Sequence, residues 1–414
     1  MRQTFLEKLK LDYKLEKKIK ELEKYYPEWP FSTKAWSFSI KEKDWVIIRK
    51  KLNKVQIAIT NRCNFPCKIC YSNSLPNDYS MEMSKTTFMK ILRKIGRGKR
   101  VILIGGEPTV REDIFDLVET IRKSGNFPEI YTNGIKLADF SFAEELVKRG
   151  VKRVYFSFDG FDKNYYKTMN GSENVLFYKL LALKNLMKLN TSVILSSRIV
   201  KGLNEKEVKR IIDFCVKTRK KGKNIVGVYF YGATKYGRFN IENGEMKWFD
   251  LYKLIEKATN NVANLEYFIE FKRFILLIHR IGERLGIIFP FGSSGFIGMF
   301  QIGSIKKIMD IDELKKINNL IERGKWSVFL KLLYRLSLRY KQILKIPLYS
   351  FVSRLPIEYF IPNKYVLIGF GNVNTPISFT PHSFEAPELF NIKGKFPIPI
   401  FIRLYDYSGY GEPR

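Results

Sequence analysis

The sequence predicts an α/β protein whose centre is a partial (β/α)6 barrel, flanked by an N-terminal helical extension and a C-terminal α+β extension. Three observations carry that prediction. Short apolar runs alternate with amphipathic segments from about residue 55 to 235. The runs end in small or polar residues. Three of the four cysteines lie close together, just after the first run.

In chain order, residues 1–54 read as a charged helix followed by an aromatic, proline-bearing stretch with Tyr25, Tyr26, Trp29, Phe31 and Trp36. The predicted strands are Val55–Thr60, Arg100–Ile104, Glu129–Thr132, Val154–Phe158, Ser192–Ile199 and Ile225–Tyr231. Amphipathic helices separate them, as at Thr86–Ile95 and Glu205–Lys217. Short loops between such units require a parallel sheet with right-handed crossovers. Sheets of this kind place their chemistry at the C-terminal strand edge, and every polar motif here follows a strand. Beyond residue 240 the alternation stops. Residues 240–285 read as helical, 286–305 as a Gly-rich apolar loop and 310–346 as basic and helical, while the chain after 347 is rich in Pro, Phe, Ile and Gly. The chain therefore divides into 1–54, a core at 55–238, and a substrate-covering or membrane-facing region at 239–414.

The formal net charge is +32 and the pI about 9.8. That excess suits contact with an anionic membrane, a nucleic acid or an acidic protein. A thermophile's lysine-rich, solvated surface accounts for it equally well, and glutamine occurs only at Gln3, Gln56, Gln301 and Gln342. Clustered cysteines fit a metal site in a reducing cytoplasm rather than a secreted disulfide framework. The first residues lack the apolar core of a signal peptide. The longest uncharged run, Leu285–Ile305, contains five glycines and a proline, which argue against a spanning helix.

The central motif is Cys63-Asn64-Phe65-Pro66-Cys67-Lys68-Ile69-Cys70. Thiolates are the ligands of iron–sulfur clusters. Three in one loop can hold three irons and leave the fourth open. A structural zinc needs four ligands, and the candidates for a fourth are Cys215, inside a predicted helix, and the remote His279 and His382. Cys215 shares a helical face with Val208, Ile211 and Ile212 and reads as core. The second strand ends in Gly105-Gly106-Glu107-Pro108, and the third in Tyr131-Thr132-Asn133-Gly134. The fourth gives Ser157-Phe158-Asp159-Gly160, the fifth Ser196-Ser197-Arg198, and the sixth the segment from Gly232 to Arg238.

This spacing and order resemble the radical S-adenosylmethionine (SAM) superfamily over about residues 55–238. The resemblance implies one [4Fe–4S] cluster on Cys63, Cys67 and Cys70, with the amino and carboxylate groups of SAM on the open iron. It implies SAM contacts at Gly105, Gly106, Glu107, Asn133, Ser157, Asp159, Ser197 and Arg198. It also implies reductive cleavage of SAM to a 5′-deoxyadenosyl radical that abstracts a substrate hydrogen, inside an apolar, closed cavity. The electron would come from a ferredoxin or flavodoxin, whose acidic surface would match the basic charge. The sequence departs from the family at Ile69, where an aromatic residue is common; Tyr71 follows.

Substrate readings stay open at this level. Trp326–Lys345 spaces Trp326, Phe329, Leu330, Leu333 and Tyr340 along one side and basic residues largely along the other. Such a helix lies in a membrane interface or packs on the barrel. The segments Tyr365–Thr375 and Ile398–Ile402 resemble the end of archaeal radical SAM proteins related to tetraether lipid synthase, without those proteins' further cysteines. Archaeal membrane-lipid modification is the leading expectation, peripheral at the inner face of the membrane. Peptide or protein maturation is the second, and nucleic-acid binding a remote third that no RNA-binding motif supports.

Overall fold

A computed structural model describes residues 54–70, 74–78, 82–233, 238–268, 270–271, 274, 296–301, 306–307, 310–323, 365–372, 383–385 and 400–403. Six parallel strands lie side by side in chain order: β1 (Lys54–Thr60), β2 (Arg100–Gly105), β3 (Phe127–Thr132), β4 (Arg153–Ser157), β5 (Ser192–Ile199) and β6 (Ile225–Gly232). The crossovers carry α1 (Lys85–Ile95), α2 (Ile114–Lys123), α3 (Phe140–Arg149), α4 (Lys163–Asn170), α5 (Asn174–Leu186) and α6 (Glu207–Lys220). Short polar side chains start three of these helices. Ser84, Asp139 and Asp162 accept backbone N–H bonds at the first turns of α1, α3 and α4, satisfying donors that a helix start leaves unpaired. The predicted α/β fold is the observed one.

The sheet has two unlike faces. Val55, Ile57, Ile59, Val101, Leu103, Ile130, Val154, Phe156, Val193, Leu195, Val228 and Phe230 are buried in one core with the apolar sides of the helices. Burying each large side chain contributes about 1.5–3 kcal/mol. The opposite face carries the polar and charged groups, among the buried Ile102, Ile104 and Ile194. Arg100 donates to both carboxylate oxygens of Glu129, each at 2.8 Å, and to the hydroxyl of Tyr155 at 2.8 Å. Arg153 is the direct cross-strand partner of Glu129. A buried ion pair survives only with such two-pronged geometry. These charges lie toward the starts of the strands, whereas Ile104 and Ser157 stand near the ends that the cysteine loop meets.

Beyond β6 the chain extends this same sheet. β9 (Tyr365–Asn372) lies parallel to β6, β7 (Phe296–Gln301) antiparallel to β9, and β8 (Lys306–Lys307) beyond β7. At the other edge β11 (Ile400–Arg403) runs antiparallel to β1 and pairs with β10 (Ser383–Glu385). The apolar segment 286–305, predicted as a loop, thus contains a strand. Its glycines mimic a loop, yet Gly298 sits opposite Ile368 in regular register. Helices appear where expected at α7 (Trp248–Ala258) and α8 (Ile311–Glu322). The N-terminal helical extension, Tyr71, Thr234–Gly237 and the amphipathic Trp326–Lys345 lie outside the described residues. Among the described residues no helix is long and apolar enough to cross a membrane. Cys215, on α6, is fully buried in the core beside Val208, Ile211 and Ile212.

Candidate functional site

The three clustered cysteines sit on the loop leaving β1, at the C-terminal edge of the parallel strands. Cys63 is buried, while Cys67 and Cys70 are half-buried. Segments distant in sequence hold this loop. Leu75 accepts from the Cys63 N–H at 3.1 Å, and Met169 accepts from the Lys68 N–H at 2.9 Å. Arg198, from β5, donates to the Ile69 carbonyl at 2.7 Å. Arg238 donates through its side chain to the carbonyls of Cys67 and Ser74, at 3.2 and 2.7 Å, and through its backbone to Cys70. Ile69 is buried in the main core. The loop is thus fixed mainly through its backbone carbonyls.

The motif after β2 explains its own composition. The Gly106 N–H donates to the Thr60 carbonyl at 2.9 Å and the Glu107 N–H to Arg62 at 2.8 Å. A Cβ on Gly105 would lie 2.1 Å from the Thr60 oxygen, and one on Gly106 would lie 2.3 Å from the Arg62 oxygen. Gly105 also has φ of +137°, which only glycine adopts without strain. The two glycines are thus required first by the close approach of the cysteine-loop backbone. Glu107 is buried and accepts four bonds: from the Thr109 N–H and hydroxyl, the Thr132 hydroxyl and the Asn133 N–H. Burial raises its pKa, and those donors oppose the rise. Its carboxylate ties the end of β2 to that of β3. Asn133 then donates to Asn64, beside Cys63, at 2.6 Å.

At the ends of β4 and β5 the register sorts the remaining candidates. Ser157 pairs with Ser196, and Ser196 with Tyr229. These side chains, with Arg198 and Tyr231, are half-buried on the polar face. Ser197 pairs with Phe230 on the helix-covered face and is fully buried; its hydroxyl has no hydrogen-bond partner among the described residues. Sequence order alone had put Ser197 in the site. Strand alternation puts Ser196 there instead, since neighbours in a strand face opposite ways. Asp159 is buried and accepts from the Arg198 N–H at 2.7 Å. Burial holds its carboxyl above the usual range, and Lys179 opposes that.

Three residues that the motifs did not flag also belong here. Lys179, on α5, is buried and donates to the carbonyls of Asn133 and Ser157 at 2.8 and 2.6 Å. Asn170, at the end of α4, donates to the Cys67 sulfur at 2.8 Å. Arg238 was read only as part of a segment after β6. No spacing rule could have found Lys179, because on α5 the apolar residues Phe177, Tyr178 and Leu180 face outward and the lysine faces in.

The donor set fits the implied cofactors. The three thiols feel one another electrostatically, and burial pushes the Cys63 thiol up to about 12. Such thiols release their protons only when metal replaces them. Among the described residues no three or more His, Cys, Asp or Glu groups are spaced for a single metal ion. A four-iron cube instead spreads its thiolates over separate irons. Ser157, Ser196, Arg198 and Asn133 stand half-buried around the strand ends, as a polar, zwitterionic ligand requires.

Residues 57–215 match the family model described as the Radical SAM superfamily. The chain is 30% identical over 220 residues to the 7,8-dihydro-6-hydroxymethylpterin dimethyltransferase of Methanocaldococcus jannaschii, covering 51% of this chain and 43% of that protein. It is 31% identical over 170 residues to the probable GTP 3′,8-cyclase of Pyrococcus abyssi, covering 41% and 54%. The chain therefore spans about half the length of these curated relatives. Among solved structures it resembles SuiB of Streptococcus suis bound to S-adenosylmethionine, at 18% identity and a TM-score of 0.41 over 53% of this chain and 51% of that one. It also resembles anSMEcpe with bound AdoMet and the Cp18Cys peptide, at 16% identity and a TM-score of 0.41 over 65% and 80%.

Proposed function

This chain belongs to the radical SAM superfamily through residues 57–215, and from that premise we propose an enzyme whose Cys63, Cys67 and Cys70 hold one [4Fe–4S] cluster. The observation that supports it best is the clamped three-cysteine loop at the C-terminal strand edge. When bound, cluster and SAM supply a 5′-deoxyadenosyl radical that takes a hydrogen from an unactivated carbon. The chain's own residues position these groups. Arg198 and Arg238 keep the loop in place before any ligand arrives. Ser157, Ser196, Arg198 and the Asn133 amide offer polar contacts to SAM, while Glu107 and Asp159 hold their strand ends rigid through buried hydrogen bonds. The family requires a one-electron reductant; a ferredoxin or flavodoxin would suit the basic surface.

Anaerobically reconstituted protein should contain about four irons per chain and show an EPR signal that SAM perturbs on reduction. Cys63→Ala, Cys67→Ala and Cys70→Ala should each abolish both. A normal cluster in any one of them removes that cysteine from the ligand set.

For the substrate, archaeal membrane-lipid modification remains our reading. It is supported by the net charge of +32 and by the tetraether-lipid-synthase-like segments, which contribute β9 and β11. The named relatives act on a pterin and on GTP, so relatedness alone selects no substrate. Comparing lipid masses between wild type and a strain lacking the protein tests the reading. Unchanged lipids would end it and leave peptide maturation, the alternative suggested by the residues after β3 and β4.

A further inference from the structure

A buried lysine stands at the strand ends beside the cysteine loop, where a neutral group would serve as a clamp. Lys179 is 2% exposed. Its ammonium donates to the carbonyls that follow β3 and end β4, and it stands 5.6 Å from the Phe156 ring and 5.9 Å from the Tyr166 ring. Two carbonyls ask only for N–H donors, which an amide provides without burying a charge. Burying an ammonium costs far more unless negative charge compensates it. Burial pushes this ammonium's pKa down, and Asp159, Cys67, Glu107 and Cys63 oppose that. Two of those four are cluster cysteines. From the same crossover Asn170 donates to the Cys67 sulfur at 2.8 Å.

We propose that the α4–α5 crossover is an electrostatic floor for the cluster, in which the Lys179 charge and the Asn170 hydrogen bond raise its reduction potential. The inference rests on the cluster assignment above. Reduction adds one electron from an external one-electron donor and makes the cluster more negative, with no bond made or broken. A fixed cation nearby stabilises the reduced state more than the oxidised one. A hydrogen bond to a ligand sulfur acts in the same direction, and both are recognised determinants of cluster potential. Lys179 is thus a positioning residue that acts through the cluster environment, and it makes the cluster easier to reduce.

The test is an EPR-monitored dithionite titration of reconstituted full-length protein without SAM. Lys179→Met removes charge and donor, Lys179→Gln keeps a donor without charge, and Lys179→Arg keeps the charge. Met and Gln should each lower the equilibrium constant for reduction at least tenfold, which is about 59 mV for a one-electron couple, while Arg stays near the parent value. Asn170→Ala, at a half-buried position, should shift the potential the same way by a smaller factor. If the Gln variant matches the parent, or Arg shifts as far as Met, Lys179 is only a clamp and the proposal fails. If the neutral Lys179 variants do not fold, Asn170→Ala decides, and an unchanged potential there overturns the proposal. Parent protein that binds no cluster refutes the cluster assignment instead, so the two failures are distinct.

Discussion

Glu107 shows how a residue chosen for one reason can be held for another. The motif flagged it as a neighbour of SAM, whereas both its oxygens are occupied by Thr109, Thr132 and Asn133. Glu107→Gln turns one acceptor into a donor that faces other donors, and such a loss at a buried site costs about 1–3 kcal/mol. Urea unfolding of the apoprotein should show the unfolding free energy fall by that amount; an unchanged midpoint would mean that the hydrogen bonds contribute nothing. Cys215→Ser makes the opposite use of burial. It should keep iron and SAM cleavage and lose about 1–3 kcal/mol of stability, because a hydroxyl replaces a thiol in a dry core. Iron loss in that variant would reveal a fourth protein ligand. Cys215 was legible as core from its helical neighbours. The choice between Ser196 and Ser197 was not, because two adjacent serines give alternation nothing to act on.

Among the elements, the six parallel strands were readable to within a few residues, since most of their helix-facing positions are apolar. The polar face blurred their starts. Arg153 begins β4 inside the sheet, yet a charged residue reads as a strand's outer limit. β7 and β9 escaped because Gly298, Gly369 and Gly371 interrupt the side-chain pattern that marks a strand. Helix α5 hid its lysine because its outward face is as apolar as its inward one. The turn after β2 makes a firm demand on sequence. Gly106→Ala puts a methyl 2.3 Å from the Arg62 carbonyl, and a backbone atom there cannot step aside alone. The variant should fold with normal far-UV circular dichroism and lose most of its iron; full iron content would show that the cysteine loop tolerates a shifted path.

For the whole molecule, the arginine clamp joins the cysteine loop to the chain beyond β6. Arg238→Ala removes two charged hydrogen bonds from that loop, each worth about 1.5–3 kcal/mol. A chelator should therefore strip iron from the variant at least tenfold faster than from the parent, and equal rates would mean that the other contacts suffice. The pairing of β1 has a different reach. On one side it meets β2, and on the other its Gln56 faces Phe401 of β11. A ribosome adding roughly 5–20 residues per second needs on the order of half a minute to travel from one to the other. Throughout that interval the strand leading into the cysteine loop offers a bare edge, the form most prone to recruit a strand from a neighbouring chain. Polysomes hold several such nascent chains side by side. Slow translation of the later segments would lengthen the exposure and raise the share of chains lost to mispairing before any iron is delivered.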